Sequence, residues 1–244
     1  MSVIGYVNQY ESMGMVDGPG TRFVVFLQGC LLKCQYCHNP ETIEINHSDK
    51  YKKSSDEVFN EIDKLKEYYR NGGVTISGGE PLLQLDFVVD LCKKIKSIGL
   101  HIAIDTSGAF FNRDNLKQNK QLQELFKYVD LFLVDIKHID DKKCQKLTTR
   151  SNENTLQFLE YLNENNQAVW IRYVLLKGIS DDENDLRKTG EFIKTLKNVE
   201  NVEILPYHNM AAQKWKNLGM DYQLKGLNNT PIDDVKRAYQ IMFE

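Results

Sequence analysis

The stretch VTISGGEPLLQLDFVVDLCKKIKSIGLHIAID (74–105) decides the class of fold. It opens with the run VTISGG (74–79), whose short β-branched core reads as a strand. Val88, Leu91, Ile95 and Ile98 then recur at helical spacing, and Gly99 is placed where a helix stops in the left-handed conformation. A second apolar run, LHIAID (100–105), follows at once. Strand, helix and strand in this order make a βαβ unit, the connection that joins parallel strands.

The same rhythm extends in both directions. RFVVFLQG (22–29), VDLFLVDIK (129–137), AVWIRYVLL (168–176) and NVEILPYH (201–208) read as four more strands. Between them, Ser54 and Glu57 form a capping box that opens a helix with Val58, Ile62, Leu65 and Tyr69 on one face. Leu156, Leu159 and Leu162 mark another helix, and Leu186, Phe192, Ile193 and Leu196 a further one. Strands apolar almost throughout are those of a parallel sheet covered on both faces. The class is therefore α/β with right-handed crossovers. Periodicity leaves open whether the sheet is doubly wound or curls into a partial barrel. Both arrangements put the functional site at the C-terminal ends of the strands. No repeat or Pro/Ser-rich linker interrupts residues 1–244, so a single domain is expected.

Composition removes several functions. With 31 Lys+Arg against 34 Asp+Glu the formal charge is −3, and 41% of residues are hydrophobic. Such a chain is not disordered, and it has no broad cationic field for nucleic acid. No apolar run approaches the ~18 residues of a membrane span. The start, MSVIGYVNQYESMGM, has no charged region followed by an apolar one, so no signal peptide is expected. The expectation is a soluble protein of the reducing cytoplasm. Five cysteines, at 30, 34, 37, 92 and 144, are odd in number and unevenly spread, unlike a disulfide scaffold.

Unusual residues gather at the predicted strand ends. The first strand runs into Gly29-Cys30, the second into Ser77-Gly78-Gly79-Glu80-Pro81 and the third into Asp105-Thr106-Ser107-Gly108. The fourth ends in Asp135-Ile136-Lys137 and the sixth in Pro206-Tyr207-His208, while the fifth ends in a plainer Leu-Leu-Lys-Gly. Each alone is ordinary turn chemistry; together they mark one functional rim. The spacing Cys30-x3-Cys34-x2-Cys37 is the strongest signal. Three thiolates leave a tetrahedral zinc one ligand short. His38 directly follows Cys37, and neighbouring side chains rarely turn to one ion. An iron–sulfur cluster normally takes four cysteines, so three leave one iron open. Cys92, on an apolar helix face, and Cys144, in a Lys-rich helical stretch, read as small buried or idle residues.

The motif Cys30-Leu-Leu-Lys-Cys34-Gln-Tyr36-Cys37 resembles the CxxxCx(aromatic)C signature of the radical S-adenosylmethionine (radical SAM) enzymes. ESMGMVDGPGTRFVVFLQGCLLKCQYCHNPET (11–42), SGGEP (77–81), DTSG (105–108), VDIK (134–137), WIRYVLLKGISDD (170–182) and LPYH (205–208) extend the resemblance over the chain. VDGPG, HNP and LPYH narrow it to the glycyl-radical activating branch. The resemblance implies a partial (β/α)6 TIM-like barrel of the radical SAM type. Cys30, Cys34 and Cys37 would bind three irons of a [4Fe-4S] cluster, and S-adenosylmethionine would chelate the fourth. One electron would cleave the cofactor to methionine and a 5′-deoxyadenosyl radical, which would take a hydrogen atom from a glycine of the partner, pyruvate formate-lyase. Reduced flavodoxin or ferredoxin would supply the electron, and the chain would act as a monomer, with neither nucleic acid nor membrane as partner.

By the same resemblance Tyr36, Cys37, His38, Gly78, Gly79, Glu80, Asp135, Ile136, Lys137 and His208 would surround the cofactor. Tyr36 would lie against the adenine and His208 on the adenine side, although a core aromatic and a structural histidine remain open for these two. Asp135 and Lys137, two residues apart, point the same way along a strand and suit a zwitterionic ligand. Asp105, Thr106, Asp135 and the carbonyl of Leu133 match a monovalent-cation site. Asp17 and His38 match positions that place the partner's glycyl loop, and Arg172 on the fifth strand is expected to point toward the same rim; structural turn residues are the rival for all three, and Gly18 and Gly20 flank Pro19 in a tight path. Two further readings stay open: a small radical enzyme acting on a metabolite or nucleotide, and a zinc-stabilised binding module using Cys30, Cys34, Cys37 and His38.

Overall fold

The computed structural model describes residues 2–244. Two compact units, interleaved along the chain, divide it. The first takes the stretch ending at Leu31 with Thr42–Thr106 and Phe110–Leu133; the second takes Leu32–Glu41, Ser107–Ala109 and Val134–Glu244.

In the first unit the six predicted strands begin as β2 (Arg22–Leu27), β4 (Gly73–Gly78), β5 (Ile102–Thr106) and the start of β6 (Leu131–Asp135). β2 pairs in parallel with β4, and β4 with β5, with Val25 opposite Ile76 and Ile76 opposite Ile104. All six residues of β2 are buried, as strands covered on both faces require. Helix α1 (Ser55–Leu65) starts at the expected capping box: Ser54 accepts from the Glu57 amide and Glu57 from the Ser54 amide. Helix α2 (Leu85–Ser97) buries Val88, Leu91, Cys92 and Ile95 and stops where Gly99 takes φ 77°. Helix α3 (Leu116–Leu125) completes the unit.

Two strands escape the periodic reading. β1 (Ile4–Gly14) runs antiparallel to β2, and the short β3 (Lys52–Ser54) runs antiparallel to β1. β1 is mostly exposed or half-buried, and its pairing slips between Val7 and Gln9 and again between Glu11 and Gly14. A bulged strand with a polar sequence loses the alternation by which strands are read. The strand order of this unit is β3-β1-β2-β4-β5-β6.

In the second unit the order is β6-β7-β8, with β7 (Val169–Leu175) and β8 (Val199–Pro206) parallel and in register from Trp170–Asn201 to Leu175–Pro206. Around them lie α4 (Asp141–Thr148), α5 (Glu153–Glu164), α6 (Glu183–Lys194), α7 (Ala212–Asn217) and α8 (Ile232–Phe243). Leu159 and Leu162 of α5 and Leu186 and Ile193 of α6 are buried as their spacing predicts. The strand at 129–137 is shorter than expected, because β6 ends at Asp135 and leaves Lys137 beyond it. Among the described residues, no helix is long and apolar enough to cross a membrane.

Candidate functional site

In the first unit the ends of β2 and β4 are stitched together by backbone, and side chains tie in the end of β5. Gly79 N–H donates to Leu27 O at 2.9 Å, and Glu80 N–H to Gly29 O at 2.8 Å. The cysteine loop leaves β2 here and closes at its base, with Gly29 N–H on Thr42 O (2.8 Å) and Cys30 N–H on Ile43 O (3.1 Å). Glycine is demanded at both positions of the pair. A Cβ on Gly78 would stand 2.2 Å from Leu27 N, and one on Gly79 would stand 2.1 Å from Gly29 O. Glu80 is 1% exposed. Its carboxylate accepts from Thr106 Oγ1 (2.5 Å) and from the Leu82 amide (3.1 Å), which caps the short turn Pro81–Gln84. Asp105 accepts from Ser77 Oγ at 2.6 Å. Glu80 thus ties the ends of β4 and β5, and Thr106, expected at a cation, donates its hydroxyl proton to Glu80.

Asp17 lies elsewhere in this unit. It belongs to the loop between β1 and β2, before the N-terminal end of β2, whereas Cys30 follows its C-terminal end. The Asp17 carbonyl accepts from Thr75 Oγ1 at 2.6 Å, and Gly18 and Gly20 on either side of Pro19 have φ 119° and 70°. The buried Arg22 guanidinium holds that loop through Pro19 O and also reaches Val74 O, Thr75 and His101.

In the second unit Cys34 and Cys37 share one turn, closed by Cys37 N–H on Cys34 O at 3.0 Å. All five cysteines of the chain are free thiols. Burial raises the Cys37 thiol pKa, while the Asn39 backbone N–H, donating to the sulfur, lowers it. Tyr36 between them is 6% exposed, and its buried hydroxyl has no hydrogen-bond partner. Lys137 Nζ stands 5.6 Å from the centre of the Tyr36 ring and 2.8 Å from Asp135 Oδ2. Burial is the largest single influence and lowers the Lys137 pKa, but Asp135, Tyr36 and Cys34 together outweigh it and the net shift is upward. The side chains of Lys137 and Asp135 are only 15% and 19% exposed, so this is not a solvated surface bridge. Lys137 reaches Asp135 although the strand has already ended.

His38 packs on His208 with ring centres 4.3 Å apart and donates to the His208 carbonyl. Burial lowers the His38 pKa, and the neighbouring His208 lowers it further. His208 Nδ1 is itself buried without a partner. Ile136 is buried and its N–H donates to Arg172 O at 2.9 Å; Leu133 is buried in β6. The Arg172 side chain meets Glu203, opposite it on β8, at 3.3 Å. Among the described residues no three His, Cys, Asp or Glu side chains surround one ion. A cluster spreads its cysteines over separate irons and does not need them to meet at one.

Sequence reading missed two residues that grip the cysteine loop. Trp215 Nε1 donates to Cys37 O at 2.8 Å, and Lys214 Nζ lies 3.0 Å from His38 O and 3.1 Å from Glu41 Oε1. The available signal was a lone Trp in a polar stretch soon after LPYH.

Residues 24–190 match the family model of the Radical SAM superfamily, and the chain belongs to that superfamily. It is 50% identical over 238 residues to the pyruvate formate-lyase-activating enzyme of Staphylococcus epidermidis, covering 97% of this chain and 94% of that one. Within the superfamily the chain therefore belongs to the pyruvate formate-lyase-activating enzymes. Among solved structures it is similar to a domain of pyruvate-formate lyase-activating enzyme from Bacteroides vulgatus, at TM-score 0.56 and 27% identity, over 70% of this chain and 92% of that one. Streptococcus suis SuiB bound to precursor peptide SuiA shares the fold at TM-score 0.67 and 18% identity, over 95% of this chain and 46% of that one.

Proposed function

We propose that this chain activates pyruvate formate-lyase by generating a glycyl radical on it. The observation that carries the reading is the near-full-length identity to an activating enzyme. The cofactors of this class are a [4Fe-4S] cluster and S-adenosylmethionine. When bound, they supply one-electron cleavage of the sulfonium C–S bond and transfer of a hydrogen atom from the partner's glycine to the fragment released.

The donor set fits these groups. Cys30, Cys34 and Cys37 are free thiols at the required spacing and would hold the cluster, with a position left for the cofactor. Tyr36 and His208 each carry a buried polar atom with no protein partner, which suits a ligand that completes them. Lys137 and Asp135 offer opposite charges to a zwitterion. Gly78 and Gly79 keep side chains out of the strand end, and Glu80 fixes its shape. Ile136 adds an apolar wall, and the burial of Cys34 and Tyr36 limits access of water. The oxygens of Asp105, Thr106, Leu133 and Asp135 serve a monovalent cation in this assignment. His38, Arg172 and Asp17 face the partner's loop in it; the His38–His208 and Arg172–Glu203 contacts hold two of them in place.

Both units serve this one activity as a single functional domain, since the cysteine motif begins in the first and ends in the second. The chain works as a monomer in the cytoplasm, with flavodoxin or ferredoxin as reductant. The test is anaerobic reconstitution with iron and sulfide, then reduction with S-adenosylmethionine and intact pyruvate formate-lyase. A glycyl radical signal by electron paramagnetic resonance is expected. A brown, cofactor-cleaving protein giving no such signal removes the partner. A colourless protein that takes one zinc and no iron removes the radical reading altogether.

A further inference from the structure

The backbone after Cys37 is held from outside the loop, and the contacts fall on successive peptide groups. The Cys37–His38 peptide presents its carbonyl to the Trp215 indole N–H at 2.8 Å. The next peptide, His38–Asn39, presents its carbonyl to the Lys214 ammonium at 3.0 Å. The N–H of that same peptide belongs to Asn39 and donates to the Cys37 sulfur. Lys214 also reaches Asn39 Oδ1 at 3.4 Å and Glu41 Oε1 at 3.1 Å, so the ammonium is fixed by three acceptors. Trp215 is buried, packs on Tyr222 at 5.7 Å between ring centres and thereby anchors α7. Earlier in the loop the Lys33 and Gln35 amides donate to Thr148 O and Leu147 O at the C-terminal end of α4. Those two amides are spent on the helix, whereas the Asn39 amide is left for sulfur.

We infer that Lys214 and Trp215 are positioning residues for the thiolate of Cys37, holding and polarising the two peptides that follow it so that the Asn39 N–H stays on the sulfur. The inference rests on Cys37 being a cluster ligand. A cation on the carbonyl of a peptide strengthens the hydrogen bond its N–H gives. Hydrogen bonds to ligand sulfur stabilise the more electron-rich, reduced cluster and set its potential. Lys214 and Trp215 therefore act on the ease of reduction without touching the cluster or the cofactor.

The test uses the full chain, reconstituted anaerobically with iron and sulfide and without S-adenosylmethionine. The ratio of reduced to oxidised cluster is read spectroscopically at a fixed dye potential, alongside the rate of iron loss to a chelator and the melting temperature. Trp215→Phe keeps the ring and removes the N–H; Lys214→Met removes the ammonium from a half-exposed site that does not threaten folding. Each is expected to lower the reduced-to-oxidised ratio about fivefold, the equivalent of weakening one hydrogen bond, and to speed iron loss. Lys214→Arg should stay within about twofold of the parent chain because it keeps the charged donor. Gln213→Ala, on the same helix with its side-chain amide donating to Asn217, should change nothing. An unchanged ratio in both Lys214→Met and Trp215→Phe, even with a lower melting temperature, would overturn the inference, as would an equal change in Gln213→Ala. If the parent chain itself takes up no iron and sulfide, the cluster assignment fails and the inference falls with it.

Discussion

Gly79→Ala should damage the rim of the first unit more than any loss of flexibility would suggest. The added Cβ would stand 2.1 Å from Gly29 O and 2.9 Å from Thr42 O. The nearer distance falls about 1.3 Å short of ordinary contact, and both obstacles are backbone rather than a flexible side chain. Gly29 O cannot retreat freely, because it accepts the Glu80 amide at 2.8 Å while its own residue donates to Thr42 O at 2.8 Å. Overpacking of this kind costs about 1–3 kcal/mol, and a weakened backbone hydrogen bond adds about 1 kcal/mol. A total near 3 kcal/mol lowers the melting temperature by roughly 6–12 °C in a chain of this size. Because the base of the cysteine loop moves with Gly29, iron uptake should fall as well. Gly99→Ala is the comparison. Its φ of 77° disfavours a side chain, but nothing lies within 4 Å of the new Cβ. It should cost about 1–2 kcal/mol and leave iron uptake intact. Thermal melts by circular dichroism and iron analysis of the reconstituted proteins measure both effects. A Gly79→Ala protein that melts with the parent and loads iron normally would refute the argument from contact.

Cys34→Ala should abolish the cluster, read as loss of iron and of visible absorbance, whereas Cys92→Ala should keep it because Cys92 is buried on α2. Loss of the cluster in Cys92→Ala would show the ligand assignment to be wrong. Ser54→Ala removes one half of the α1 capping box and should cost about 1 kcal/mol, seen as a lower denaturation midpoint with unchanged m-value. Stability should fall as pH drops below 6.5, the ordinary histidine value. Burial, aided by Arg22, lowers the His101 pKa, and burial, partly opposed by Asp185, lowers that of His138. The unfolded chain then binds protons that the folded chain refuses, so stability rises with pH through this window. His101→Asn should flatten the dependence of the melting temperature between pH 5 and 7.5, a range chosen about the histidine value, and an unaltered slope would remove His101 as a source.

The parts of the fold that were legible are those whose residues face one way for a simple reason. β2, β4 and β5 are apolar because they are covered, and α1 begins where Ser54 and Glu57 can satisfy free amides. β1 was not legible, since an exposed, bulged strand has neither continuous apolarity nor alternation. At the site, the spacing of Cys30, Cys34 and Cys37 and the glycines at 78 and 79 could be read because covalent spacing and lack of a side chain are properties of sequence. The Glu80–Thr106 bond and the grip of Trp215 on Cys37 could not. They join residues 26 and 178 positions apart, and only the folded chain brings such residues together.

The five cysteines show how spacing and structure answer different questions. Burial does not cleanly separate the three motif residues from the other two: Cys30 and Cys37 are half-buried, but Cys34 is buried like Cys92 and Cys144, and burial raises the thiol pKa of Cys37, Cys92 and Cys144 alike. Nor does a nearby polar group: Thr148 Oγ1 lies 3.8 Å from the Cys144 sulfur, and the Asn39 amide donates to that of Cys37. What differs is the backbone that carries each thiol. Cys92 and Cys144 sit within helices, where the backbone is committed to its own ladder and the side chain fills a gap in the core. Cys34 and Cys37 sit on a loop whose amides and carbonyls are bound from two sides, by the end of α4 and by α7. A soft-metal centre needs several thiolates presented together on a backbone that holds still when they are deprotonated. Helical cysteines 52 residues apart cannot do that, and a seven-residue interval of braced loop can.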